Sequence, residues 1–375
     1  MAVAEGVPLL MRLVSASVSV SYRAAKIARD VLISGDLGIV EKSGKNDLQT
    51  QADRSVQRCI VASLHKQFPN IPIFGEEELA PTTKIPDEFI ELKLDEEVLR
   101  HKCPDNLKDI KNEEIVIWVD PLDGTKEFTE GFLDHVTVLI GIAVRGVATA
   151  GIINQPFCNY EAKPKYGESR CIWGVLGLGS FGFERNTHLE GNIITTTRSH
   201  SDYTITKTVQ ACEPTEVLRV GGAGHKVLLL IEKKAHAYVF ASIGCKKWDT
   251  CAPEAILHSL GGNLTDIHGK PIPYHANVVH KNTGGVLATV ENHDWYVNQI
   301  RDKVDAETLS KFETVKLAPP TLESQLSQKT LNIGSNASNA TPAGDSTNGK
   351  ASGSASSEEL RMSRKRPFED SDSKL

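Results

Sequence analysis

The stretch Ile115–Phe128 reads I-V-I-W-V-D-P-L-D-G-T-K-E-F, and it narrows what this chain can fold into more than any other. Its apolar, mostly β-branched opening predicts a buried strand that stops at Asp120. Pro121 and Gly124 predict a tight turn after it. Such a strand delivers two carboxylates, Asp120 and Asp123, to the lip of a sheet. Two acids that close repel each other unless a cation lies between them. Hard oxygen ligands suit Mg²⁺, which takes one or two carboxylates together with phosphate oxygens. The D-P-x-D-G pattern is also sound chemistry for an acidic surface turn, so alone it leaves both readings open.

The chain has 375 residues, enough for one large domain or two ordinary ones. With 40% hydrophobic and 24% charged residues it has a soluble globular composition. A net charge of -6 offers no electrostatic footprint for a nucleic-acid groove. The seven cysteines lack the spacing of a disulfide framework, which points to reduced thiols and a cytoplasmic protein. No segment approaches the roughly 20 apolar residues of a membrane span. Leu9, Leu10, Leu13 and Val14 fall at helical spacing, as in an amphipathic helix rather than a signal peptide.

Helix is predicted from about 8 to 32, ended by Gly35 and Gly38, and again from Ala52 to Phe68 behind a Thr50 cap. Asp53 falls in the first turn of that second helix, near its positive end. A short strand at Ile71–Phe74 runs into Glu76, Glu77 and Glu78, an acidic run that is either a metal site or a solvated loop. Residues 80–114 read as a polar surface excursion. Strands are predicted at Val136–Val144, Ala148–Asn154 and Ile172–Phe183, giving residues 1–190 a mixed α+β character.

Residues 191–318 read as α/β: strand Ile193–Thr197 and a helix opening at Arg198–Ser201, strand Glu216–Val220 and a helix from His225, strand Ala237–Ala241 and a helix from Ala252. Ligands in such layers sit at the strand ends. Between Val220 and His225 the run G-G-A-G fits a phosphate or nucleotide cradle at a helix start, with Lys226 adding positive charge. Thr195–His200 supplies hydroxyls, Arg198 and His200 to a second phosphate. Residues 319–375 are dominated by Ser, Asn, Thr, Gly and Ala and are expected to be disordered. Their basic cluster at Arg361, Arg364, Lys365 and Arg366 is a solvated tail or, alternatively, a nuclear-import signal.

Three motifs, G-E-E at Gly75–Glu77, D-P-L-D-G-T at Asp120–Thr125 and W-D-T-C-A-P-E-A at Trp248–Ala255, resemble the lithium-sensitive, Mg²⁺-dependent phosphatase superfamily. That group holds inositol monophosphatases, inositol polyphosphate 1-phosphatases, fructose 1,6-bisphosphatases and bisphosphate nucleotidases. T-T-T-R-S-H-S at Thr195–Ser201 and V-L-R-V-G-G-A-G at Val217–Gly224 are most similar to the bisphosphate nucleotidase branch. The resemblance spans roughly residues 8 to 315. It implies the layered α/β/α/β/α sandwich of the inositol monophosphatase and fructose-1,6-bisphosphatase type. It implies two or three Mg²⁺ ions bound by Glu76, Asp120, the Leu122 carbonyl, Asp123 and Asp249. Asp53 and Thr125 are implied to position and deprotonate the attacking water, and Thr197, His200, Gly222 and Lys226, with Thr125 and Asp249, to meet the substrate.

That substrate is implied to be a small phosphorylated nucleotide, 3'-phosphoadenosine 5'-phosphate, cleaved to AMP and phosphate. The phosphosulfate form is a second substrate, inositol 1,4-bisphosphate a side substrate, and lithium an inhibitor. Inositol polyphosphate 1-phosphatase as the main activity and a catalytically silent nucleotide-binding protein are the alternatives. A monomer without nucleic-acid or membrane partners is expected. An EF-hand is excluded, because D-x-x-D-G lacks its alternating acids and terminal Glu.

Overall fold

The computed structural model describes residues 6–42, 48–78, 85–160, 168–199 and 201–312. His200, the 319–375 tail and its basic cluster lie outside the described residues. Helix α1 (Leu9–Ser34) packs against α2 (Gln51–Gln67), and the pair covers one face of a six-stranded sheet. That sheet runs β3 (Ile73–Gly75), β4 (Ile115–Asp123), β5 (Thr137–Val144), β6 (Val147–Cys158), β7 (Glu168–Val175) and β8 (Gly179–Phe181) in chain order. Only β3 and β4 pair in parallel; the other neighbours are antiparallel. A small β1 (Val40–Glu41) to β2 (Leu48–Gln49) pair precedes α2. The excursion before β4 holds α3 (Glu96–Arg100), and α4 (Thr125–Glu130) follows β4 directly.

A second, five-stranded sheet has the order β10-β9-β11-β13-β12, from β9 (Ile193–Thr197), β10 (Glu216–Val220), β11 (Ala237–Phe240), β12 (Asn263–Thr265) and β13 (Val286–Thr289). Helices α6 (Ala223–Ile231) and α7 (Lys247–Ser259) lie between the sheets: both touch β5, α7 also β6 and β12, α6 also β9 and β11. On the outer face lie α5 (Tyr203–Ala211) against β11 and α8 (His293–Lys303) against β13; α9 (Ala306–Ser310) follows. This is the expected α/β/α/β/α sandwich. Strand β4 shows why both faces must be covered: Ile115, Ile117 and Val119 enter the core beneath α1 and α2, whereas Val116 and Trp118 enter the core beneath α6 and α7. Among the described residues no helix is long and apolar enough to cross a membrane.

Several elements differ from the sequence reading. Strand β4 does not stop at Asp120 but runs on through Pro121 and Leu122 to Asp123, with a register irregularity in place of a turn. The glycine-spaced Ile172–Phe183 run is two strands, β7 and β8, hinged at residues 176–178. Arg198–Ser201 opens no helix; α5 begins at Tyr203, where the Asp202 carboxylate accepts the Ile205 N–H and so gives a better cap. Helix α6 begins at Ala223, ahead of His225. Helix α7 begins at Lys247, five residues before Ala252, so Asp249 lies inside its first turn.

Candidate active site

Residues three apart on a regular strand point to opposite faces. Between the pairs Asp120↔Leu139 and Asp123↔Thr137, however, β4 has two residues where β5 has one. The extra residue is a bulge, and it turns both carboxylates to the same place. The first turn of α7 adds Asp249, so that ligand oxygens of Asp120, Asp123 and Asp249 lie within 4.8 Å of one another. Asp249 is held by the Lys246 N–H, which donates to its Oδ2 at 2.5 Å. These charges are poorly tolerated together. Burial and the nearby charges of Glu76, Asp123 and Asp249 push Asp120 well above the usual carboxylate range. Desolvation and Glu76 push Asp249 up to about 7.

Glu76 arrives through the parallel β3–β4 pairing, its N–H donating to the Val119 carbonyl at 3.1 Å. It lines the same cavity, but its carboxylate stands outside the three-acid cluster, held by Lys42 Nζ at 2.9 Å with Lys246 Nζ at 3.8 Å. Leu122 also lines the cavity, and its carbonyl accepts the Thr125 hydroxyl at 3.1 Å. That hydroxyl is equally placed to donate to Asp53 Oδ1 at 2.9 Å. Asp53 closes the α2 capping box, its Oδ2 accepting from the backbone N–H of Thr50 at 2.7 Å and from the Thr50 hydroxyl at 2.5 Å. Burial raises its pKa to about 6 against the pull of those donors.

A second wall of the cavity, adjoining Asp123, carries the donors. Gly222 caps α6 with φ 69°, and a Cβ there would come within 2.4 Å of the His135 carbonyl, so only glycine fits. The first amides of α6 are not open to a ligand: Ala223 and Gly224 both donate to the Asp123 carboxylate at 2.8 Å, and Thr137 Oγ1 donates to it at 2.7 Å. Lys226, buried, donates to the Gly222 carbonyl at 2.6 Å and lies over the Tyr238 ring. Burial lowers its pKa, with Asp123 opposing. Thr197, at the end of β9, lines the same wall. The whole encloses about 560 Å³. Of the residues singled out in the sequence, Glu76, Asp120, Leu122, Asp123, Thr125, Thr197, Gly222, Lys226 and Asp249 all line it. Asp53 sits behind Thr125, and His200 is outside the described residues.

Residues 10–305 match the inositol monophosphatase family. A human protein named 3'(2'),5'-bisphosphate nucleotidase 1 is 56% identical over 297 residues, covering 79% of this chain and 96% of that protein. The chain belongs to the inositol monophosphatase family. A Dictyostelium discoideum protein of the same name is 37% identical over 303 residues, 78% of this chain and 97% of its own. The extragenic suppressor protein suhB of Bartonella henselae shares the fold at a TM-score of 0.56 and 19% identity, covering 78% of this chain and 98% of its own. As a family member with relatives this similar, the protein is a phosphatase.

Around this phosphatase site stand residues that sequence reasoning passed over. Gln57, on the same face of α2 as Asp53 and one turn on, pins the acidic loop: its Oε1 accepts the Glu77 N–H at 2.9 Å and its Nε2 donates to the Glu77 carbonyl. The amide passes so close to Gly75 that a Cβ there would lie 2.4 Å from Gln57 Oε1. Buried Glu77 takes Lys42 Nζ at 2.9 Å and the Gln49 amide. Lys246 and Thr137 were missed as well. The i, i+4 spacing of Asp53 and Gln57 was the one local signal available for any of them.

Proposed function

We propose that this phosphatase removes the 3'-phosphate of 3'-phosphoadenosine 5'-phosphate, giving AMP and phosphate, in a Mg²⁺-dependent reaction. 3'-Phosphoadenosine 5'-phosphosulfate is a second substrate and inositol 1,4-bisphosphate a side substrate. The single observation that carries the reading is the convergence of Asp120, Asp123 and Asp249 within 4.8 Å in a cavity of nucleotide size. The donor set fits a hard divalent cation. It offers carboxylate oxygens only, without the imidazole or thiolate that would favour zinc, and the pKa values raised by burial and mutual repulsion mark a surplus of negative charge. Asp120, Asp123, Asp249, Glu76 and the Leu122 carbonyl would hold the two or three ions. Bound Mg²⁺ supplies neutralisation of the phosphoryl oxygens and a more acidic water.

The chain's own groups do the rest. Thr125 donates its proton to Asp53, which leaves the hydroxyl oxygen to accept one from the attacking water. Asp53, at about 6, sits close enough to neutral pH to take up that proton. Lys226, Gly222 and Thr197, with His200, hold the nucleotide and its 5'-phosphate on the second wall, which fixes the 3'-phosphate over the acids. The names of the 56% and 37% identical relatives support this choice of substrate. The test is phosphate release from 3'-phosphoadenosine 5'-phosphate with Mg²⁺, with EDTA, and with Mg²⁺ plus Li⁺, beside the same assay on inositol 1,4-bisphosphate. The reading requires release only with Mg²⁺, inhibition by Li⁺ and a higher kcat/KM for the nucleotide. A higher kcat/KM for the inositol phosphate would overturn the choice of substrate.

A further inference from the structure

Helix α7 carries Asp249 in its first turn, and from within the helix that turn is held by Asp249 itself, whose carboxylate accepts the Lys246 N–H. Its cap position is Lys246, which makes no side-chain capping hydrogen bond. Four residues after Asp249 comes Pro253, which has no N–H to give to the Asp249 carbonyl. The turn is also held from outside the helix, by residues 280–282. Lys246 pairs with Lys281 in an isolated antiparallel bridge. The Lys247 N–H donates to the His280 carbonyl at 2.8 Å, and the Asn282 N–H donates to the Cys245 carbonyl at 2.8 Å. The Asn282 side chain then reaches across the helix start. Its Nδ2 donates to the Lys246 carbonyl and to Thr250 Oγ1, both at 3.0 Å, and its Oδ1 accepts from Lys247 Nζ at 2.5 Å. Asn282 is 3% exposed, and three of the four hydrogen bonds its amide can make are formed on residues flanking Asp249.

We propose that Asn282 is a positioning residue for the metal centre: its amide clamps the first turn of α7 and so fixes the Asp249 carboxylate against Asp120 and Asp123. Asn282 does not line the cavity, and it acts through the Lys246 carbonyl and the side chains of Lys247 and Thr250. Groups that orient a metal ligand in this way carry about ten- to a hundredfold in metal affinity. The inference rests on the metal-dependent reading above, and the experiment separates the two.

The full-length protein, stripped with EDTA and dialysed, is titrated with Mg²⁺ by isothermal calorimetry, and Tm is measured alongside. Asn282→Ala should weaken Mg²⁺ binding about tenfold. Ile256→Val, a core change two turns beyond Asp249 along α7, should lower Tm without shifting Mg²⁺ affinity. Lys247→Met, which removes the cation that orients the Asn282 amide and leaves the backbone intact, should weaken binding by a smaller factor. It keeps the test open should Asn282→Ala fail to fold. In kinetics, the Mg²⁺ concentration for half-maximal rate should rise while KM for the nucleotide at saturating Mg²⁺ stays within about twofold of wild type. Asn282→Ala and Lys247→Met variants that lose Tm but bind Mg²⁺ as wild type does would overturn the proposal. A wild-type protein that binds no Mg²⁺ would instead overturn the parent reading.

Discussion

The two walls of the cavity solve opposite problems. On the acid wall, Asp120, Asp123 and Asp249 converge from β4 and α7 with more negative charge than the protein neutralises. On the donor wall, Lys226 is already paired with the Gly222 carbonyl, and the first α6 amides are already spent on Asp123. One wall is built for a ligand at the cost of the fold, and the other is built largely by the fold. Asp123 belongs to both. It is an acid of the cluster and also the anchor that ties α6 to β4.

The largest effects should therefore split the acids. Asp120→Asn should reduce kcat by roughly three orders of magnitude, the scale of losing one electrostatic stabiliser of a transition state. The same change should raise Tm of the metal-free protein, because it removes a buried charge repelled by its neighbours. Asp123→Ala should abolish activity and also destabilise by about 3 kcal/mol, since the amides of Ala223 and Gly224 and the Thr137 hydroxyl lose their acceptor. Equal Tm changes for the two variants would break the contrast between the walls. Phosphate-release kinetics and calorimetry on both proteins decide it.

Next in size is the proton path. Thr125→Val removes the hydroxyl between the cavity and Asp53 and should lower kcat about a hundredfold with KM nearly unchanged. Lys226→Met acts on the other wall and should show the reverse split, a rise of about tenfold in KM for the bisphosphate with a small change in kcat. Its metal-free Tm should hold or rise, because burial already disfavours that ammonium. A loss of kcat alone would move Lys226 to the acid wall.

The walls were not equally legible in the sequence. The acid wall is written locally: an apolar run of strand-forming residues ends in two aspartates, and a strand before it ends in G-E-E. Even so, the run was read as stopping in a turn at Asp120. A bulge adds one residue to one strand, and only the register against β5 reveals it. Helix α7 was read as starting too late because Lys246–Trp248 holds no Ser, Thr, Asp or Asn cap. The groups that secure that start come from His280 and Asn282, more than 30 residues on. The G-G-A-G loop was rightly placed at a helix start, but its amides were taken as ligand donors. That Asp123 claims two of them is a tertiary fact with no trace in local spacing.

The smallest effect is a slope, and it tests whether the acid wall is in surplus. Asp53 and Asp249 have folded pKa values of about 6 and about 7, above the 3.8 of an unperturbed aspartate. Between about pH 4 and 7 the folded chain thus holds protons that the unfolded chain has released. Stability from these groups is fully present below that window and is lost as pH rises through it. In EDTA, Tm should fall by a few degrees between pH 5 and 7.5, and Asp249→Asn should flatten part of the fall. Saturating Mg²⁺ should stabilise most at the top of the range, where the acids hold the fewest protons and the cation meets the least competition. Paired calorimetric scans across these buffers measure both slopes. A metal-free Tm that climbs with pH, or Mg²⁺ stabilisation as large at pH 5 as at pH 7.5, would mean that the acid wall carries no surplus charge and that the two walls are alike.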